Sequence, residues 1–206
     1  MAWSRHSCDW ADLPLARVIT REVVGYRSIT LIDRTLNSLG AFLMPISMDR
    51  SLRHMAWANQ RIYSAFATLP DEALDAYILN PDWTARQILQ HIVSGADWYV
   101  YCLGIAGWND IPQPRVIADV GNLAKTLAIC DALIMSAATA GDELLTFEEG
   151  EKKISVLRST LLSEAVLHAT EHRAHLLDAI ESRGFTAISL DNIDLWSFES
   201  FERRGS

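Results

Sequence analysis

The chain's 206 residues suffice for one domain with an appendage and are too few for the usual two-domain enzyme. Half of them are hydrophobic and 21% are charged, which excludes an intrinsically disordered chain. With 18 Lys and Arg against 26 Asp and Glu the net charge is −8, a sign that repels phosphate backbones and anionic lipid, so neither nucleic acid nor a membrane is an expected partner.

Residues 1–47 read as an N-terminal extension whose order the sequence leaves open. Arg5 is followed by Asp9 and Asp12, without the apolar run of a signal peptide, and no stretch of the chain approaches the roughly 18 apolar residues of a membrane span. Val18 to Ile32 mixes β-branched residues with charge, and Leu36 to Ile46 is broken by Gly40 and Pro45. The helical period becomes regular from Met48, which makes that residue a candidate translation start. Cys8, Cys102 and Cys130 are odd in number and widely spaced, so they build neither a disulfide framework nor a CxxC metal knuckle. That usage points to a reducing, cytoplasmic location.

In chain order, Leu52, Met55, Ala56, Ile62, Tyr63, Phe66 and Leu69 follow the i, i+3, i+4 rule of an amphipathic helix, stopped by Pro70. After the turn-rich Asn80 to Trp83, Thr84 is placed to cap a second helix with its stripe at Ile88, Leu89, Ile92, Ala96, Tyr99, Val100 and Leu103, ending near Gly104 to Gly107. Trp108 to Arg115 is a loop with two prolines. A third helix carries Val116, Val120, Leu123, Leu127, Cys130, Ile134 and Ala137. Glu143 to Glu148 and Lys153 to Leu157 read as a short hairpin bending at Gly150. The fourth helix runs from Ser159 or Thr160 to Arg183 and closes on Gly184. Phe185 to Phe201 reads as loop. The expected architecture is all-α: a four-helix bundle over residues 48–201 with a long crossover connection, a minor β-hairpin before the last helix and a tail at 202–206.

Chemistry concentrates in the fourth helix, from His168 to His175. Residues four apart share a helix face, so His168 and His172 are able to converge on one metal ion, although the pair lacks the Glu that follows the first His in HExxH proteases. A third ligand is required. His91, midway along the second helix, is the candidate, although a lone His there is commonly a hydrogen-bonded core or boundary residue. If the middles of the second and fourth helices face one another, the three imidazoles form a site with one open coordination position.

Four blocks in order, His54-Met55-Ala56-Trp57-Ala58-Asn59, His91 with Trp98, His168-Ala169-Thr170-Glu171-His172-Arg173-Ala174-His175, and Leu190 to Phe198, resemble the DinB family of metal-binding helical bundles. The resemblance implies His91, His168 and His172 as metal ligands and Arg173 as the neighbouring family Arg. Ala174 and His175 stand where the family often has Gly and Gln, which makes His175 either a changed hydrogen-bonding partner or a fourth imidazole. The resemblance further implies a small-molecule enzyme: a transferase or isomerase in which the ion activates a low-molecular-weight thiol, such as bacillithiol or mycothiol, against an electrophile, in a homodimer. Zn²⁺ is the default ion, and imidazole also suits nickel and iron. Two other readings are a metal-dependent hydrolase using bound hydroxide and a non-catalytic metal-binding dimeric bundle.

Glu171 and Glu164 flank His168 and are weak candidates for a general base, against the ordinary expectation that helix glutamates are solvated. Arg173 and His175 complete the weak catalytic candidates. Cys102 lies eleven residues after His91, about 16 Å along the helix axis, too far to share an ion. Trp57, Trp98 and Trp196 are expected to build core.

Overall fold

The computed structural model describes residues 48–205; the extension at 1–47 and its Cys8 lie outside the described residues. Helix α1 spans Asp49–Phe66 and buries Leu52, Met55, Ile62, Tyr63 and Phe66, with Ala58 and Asn59 completing the face in place of the half-buried Ala56. A connection over 67–84, containing one 3-10 turn at Asp71–Asp75, leads to α2, Ala85–Cys102. The Thr84 backbone N–H donates to Gln87 Oε1 at 2.7 Å, half of a capping box that fixes where α2 begins.

Helix α3 spans Val120–Ala137 after a 3-10 turn at Ile117–Asp119. The expected stripe begins four residues early: Val116 is exposed because the Asp119 carboxylate accepts the backbone N–H groups of Arg115 (2.8 Å) and Val116 (3.2 Å), turning the chain before the helix starts. By length and mean hydropathy (1.3) residues 117–137 compare with a membrane span, contrary to the expectation that no stretch approaches one. Val120, Leu123, Leu127, Cys130 and Ile134 of that segment are buried in the bundle, together with the carboxyl of Asp131.

Strands β1 (Leu144–Glu149) and β2 (Lys152–Leu157) pair antiparallel with Phe147 opposite Ile154, and Gly150 takes the left-handed φ of 61° at the bend. Helix α4 covers Arg158–Glu181, and Gly184 at φ 81° lets the Phe185 N–H reach back to Ile180 O at 3.0 Å. The loop expected for the C-terminal segment is corrected over Leu195–Gly205, which forms helix α5 and runs through the boundary expected at residue 201. The Asp194 carboxylate accepts the Ser197 N–H at 2.7 Å and caps this helix. Phe198 is buried against the rings of His54 and Trp57, whereas Trp196, expected in the core, is 83% exposed.

Both α1 and α2 pack against α3 and α4, so the order around the bundle is α1, α3, α2, α4. Sequence neighbours α1 and α2 sit on a diagonal, as do α3 and α4, and each diagonal is spanned by a long connection. This arrangement sets α2 against α4 along their length. It is the juxtaposition that a shared site between His91 and the fourth-helix histidines requires.

Candidate metal centre

His91 projects from the middle of α2, and His168 and His172 project from one face of α4. The three side chains offer ligand nitrogens that all lie within 4.8 Å of one another. Ring centroids are separated by 4.9 Å (His91 and His168), 4.5 Å (His91 and His172) and 4.4 Å (His168 and His172), and the Nε2 atoms of His91 and His168 are 3.1 Å apart. Such a convergence suits a small cation with N donors.

Burial is the main cause of the electrostatics here. It lowers the imidazole pKa of His91, takes His168 down to about 4 and, helped by the neighbouring imidazoles, takes His172 down to about 3. All three rings are therefore neutral at pH 7, the form in which imidazole donates a lone pair to a metal. Nδ1 of His172 is buried without a hydrogen-bond partner, an omission that a bound ion or its ligands would remedy.

Two residues absent from the sequence expectations shape the site. Gly95 lies one turn beyond His91 on α2, and a Cβ built there would fall 2.9 Å from His168 Nδ1 and closer still to the ring carbon Cε1. The missing side chain lets the His168 ring lie against the α2 backbone. Trp83, in the turn before α2, meets the His91 ring edge-on at 5.2 Å and the His172 ring at 5.9 Å, and forms an aromatic wall. Tyr99 meets His168 on another side at 5.8 Å.

Arg173 points elsewhere. Its guanidinium, 2% exposed, donates to Asn59 Oδ1 on α1 (2.7 Å) and to Thr170 Oγ1 (3.0 Å), and the Asn59 amide donates to both oxygens of Asp131 on α3 (3.2 and 3.0 Å). Burial draws the Arg173 pKa down to about 10 and pushes Asp131 up to about 6. This buried chain ties α4 to α1 and α3 immediately beside His172. Arg173 thus braces α4 against α1 and α3, and Asp131 completes the chain, its signal in the sequence being a carboxylate next to Cys130 in an apolar stripe.

The remaining candidates separate cleanly. His175 is one turn beyond His172, ring to ring 5.5 Å, and is not a member of the three-imidazole group. Glu164 and Glu171 are exposed, and the charge of Glu171 acts on His91 only as a secondary influence that raises its pKa. His54 Nε2 donates a 2.7 Å hydrogen bond to Ile193 O and braces the segment leading into α5 against α1. Cys102 and Cys130 are buried thiols with pKa values pushed up to about 12 by desolvation. Trp57 and Trp98 are partly buried against the core, as expected.

A sequence profile described as the DinB family matches residues 44–202. Among solved structures, a DinB-like protein from Bacillus cereus ATCC 10987 superposes with a TM-score of 0.55 at 17% identity, covering 68% of this chain and 93% of that one. No curated protein sequence matches the chain.

Proposed function

This chain belongs to the DinB family, and from that premise we propose that it is a small-molecule metalloenzyme. In this reading it holds a divalent ion through His91, His168 and His172 and activates a low-molecular-weight thiol for transfer to, or isomerisation of, an electrophile. The observation that carries the proposal is the convergence of three neutral imidazoles with no fourth protein donor in the group among the described residues. Three uncharged ligands leave a divalent ion its full charge, which favours an anionic fourth ligand. When bound, the ion would supply Lewis acidity that holds a thiol as thiolate near neutral pH. Zn²⁺ is the ion of first choice, with nickel and iron also compatible with imidazole.

The chain's own residues would orient and shield. Trp83 and Tyr99 exclude water from two sides of the imidazoles, Gly95 gives His168 its position, and the Arg173–Asn59–Asp131 chain fixes the helix that carries two of the three ligands. The buried, unlinked thiols of Cys102 and Cys130 accord with a reducing, cytoplasmic setting. In this reading two copies pair through bundle helices, for which the outward side of α3 at Ile129, 63% exposed, supplies apolar surface; a monomer in gel filtration at micromolar concentration would remove the pairing.

The deciding experiment measures bound metal in the purified full-length protein and in His172→Ala, then follows consumption of an electrophilic aryl chloride with a panel of small thiols. We expect metal near one equivalent, thiol-dependent turnover and loss of both in the variant. Ester hydrolysis without thiol would replace this reading with the metal-hydroxide one, and bound metal with neither activity would leave a binding bundle.

A further inference from the structure

We propose that the small cavity where the four long helices meet beside His168 seats one ordered water, which bridges the His168 imidazole to the Asp131 carboxylate and makes Asp131 a positioning residue for that ligand. The positioning role rests on the metal-centre reading, and the water does not. The cavity has a volume of about 10 Å³, the room that a single water requires. Side chains of all four helices line it, among them Asn59 of α1, Ile92, Ala96 and Tyr99 of α2, Asp131 of α3 and His168 of α4. Asn59, Tyr99, Asp131 and His168 are polar, and a buried water is held by about two to four such partners.

Three of these groups have bonding capacity to spare. Asp131 is 1% exposed, and its two oxygens share the one amide nitrogen of Asn59 (3.2 and 3.0 Å), whereas a carboxylate has lone pairs for about four donors. The hydroxyl of Tyr99, a residue 9% exposed, has no hydrogen-bond partner among the described residues, and a buried phenol ordinarily finds one. His168 turns Nε2 into the three-imidazole group, 3.1 Å from His91 Nε2, which leaves Nδ1 to carry the proton when the ring ligates. A ligating imidazole donates that second N–H to a carboxylate, a carbonyl or a water, and the bond fixes its tautomer and its plane.

One water meets all three needs. His168 Nδ1–H and the Tyr99 hydroxyl donate to its oxygen, and its own O–H donates to Asp131. Asp131 then serves both ligands of α4. Through the Asn59 amide it holds Arg173, the neighbour of His172, and through the water it holds the ring of His168. Gly95 supplies the complementary restraint, because its bare backbone receives the same ring from the side of α2.

The test records NMR spectra of the full-length protein with isotope-labelled histidine, metal-free and zinc-loaded, and follows cross-relaxation from water. Long-lived water contacts to the methyls of Ile92 and Ala96 and a slowly exchanging His168 Nδ1–H are expected in both states. Asp131→Leu should broaden the Nδ1–H signal and weaken zinc binding by about tenfold or more. Asp131→Asn keeps an acceptor and should restore the signal, with zinc affinity within about threefold of the wild type. Ala165→Val fills the cavity while leaving the Arg173–Asn59–Asp131 chain intact, so it should remove the water contacts and reproduce the loss of the Nδ1–H signal. A merely structural Asp131 would lower the melting temperature without moving that signal. Absence of long-lived water at Ile92 and Ala96 in the wild type, or an Nδ1–H signal unchanged in both Asp131→Leu and Ala165→Val, would overturn the proposal. Failure of the wild type to bind zinc would strike the metal-centre reading instead, because the water and its bond to His168 are read without the ion.

Discussion

The imidazole of His168 rests against the backbone of Gly95, in space that a single methyl group would take. A glycine inside a helix costs about 1 kcal/mol relative to alanine, so its presence in the middle of α2 has a packing reason. Gly95→Ala is expected to keep the fold, displace the His168 ring and weaken metal binding by about tenfold or more. Calorimetric titration with Zn²⁺ beside a circular dichroism melt measures both, and unchanged affinity in the variant would refute this account of the site.

Acid should destabilise the metal-free protein through the same rings. His168 and His172 have native pKa values of about 4 and about 3, against an ordinary 6.5. Below about pH 6.5 the unfolded chain takes up protons that the native rings refuse, so this contribution to stability is lost as pH falls toward about 4 and levels off beneath the native values. Asp131, raised to about 6, acts in the opposite sense over the same window, because its native carboxyl protonates before the unfolded one. The two histidines outweigh the one carboxyl. Melting temperatures between about pH 7 and pH 4.5 should therefore decline for the wild type and decline less for a His168→Asn, His172→Asn double variant; equal slopes would contradict the assignment.

The buried chain from Arg173 through Asn59 to Asp131 predicts a large loss on truncation. Arg173→Leu leaves the Asn59 carbonyl without its guanidinium donor and deprives Asp131 of the cation that acts on it. Urea unfolding should show a loss of about 3 kcal/mol or more, with metal affinity falling as α4 loosens. A loss under about 1 kcal/mol would mean that the network does not anchor the helix.

Two aromatic residues on α5 should behave oppositely. Phe198 is 3% exposed between His54 and Trp57, and Phe198→Ala is expected to cost about 3 kcal/mol. Trp196 is 83% exposed, and Trp196→Ser should change stability by no more than about 0.5 kcal/mol. Thermal melts of the two variants distinguish this C-terminal helix from a loose tail.

Four long helices and the hairpin between the third and fourth are legible in the sequence. Their apolar stripes repeat at the helical period, and Thr84, Pro70, Gly150 and Gly184 mark ends and bends through local backbone preferences that need no tertiary partner. The HxxxH pair was readable for the same reason, since a four-residue spacing is a property of one helix. Helix α5 was not, because its short run of aromatic, acidic and basic residues has an apolar face only where α1 supplies His54 and Trp57 to cover it.

The meeting of His91 with His168 and His172 is a matter of helix packing, because it depends on α2 and α4 being neighbours around the bundle. Packing also leaves His175, one turn along the same helix, outside the three-imidazole group, sets Gly95 and Trp83 against its rings, and joins Asp131 to Arg173 through Asn59. Each of these acts through space on a residue distant in the chain. No periodicity within a single segment encodes which faces of different helices come together.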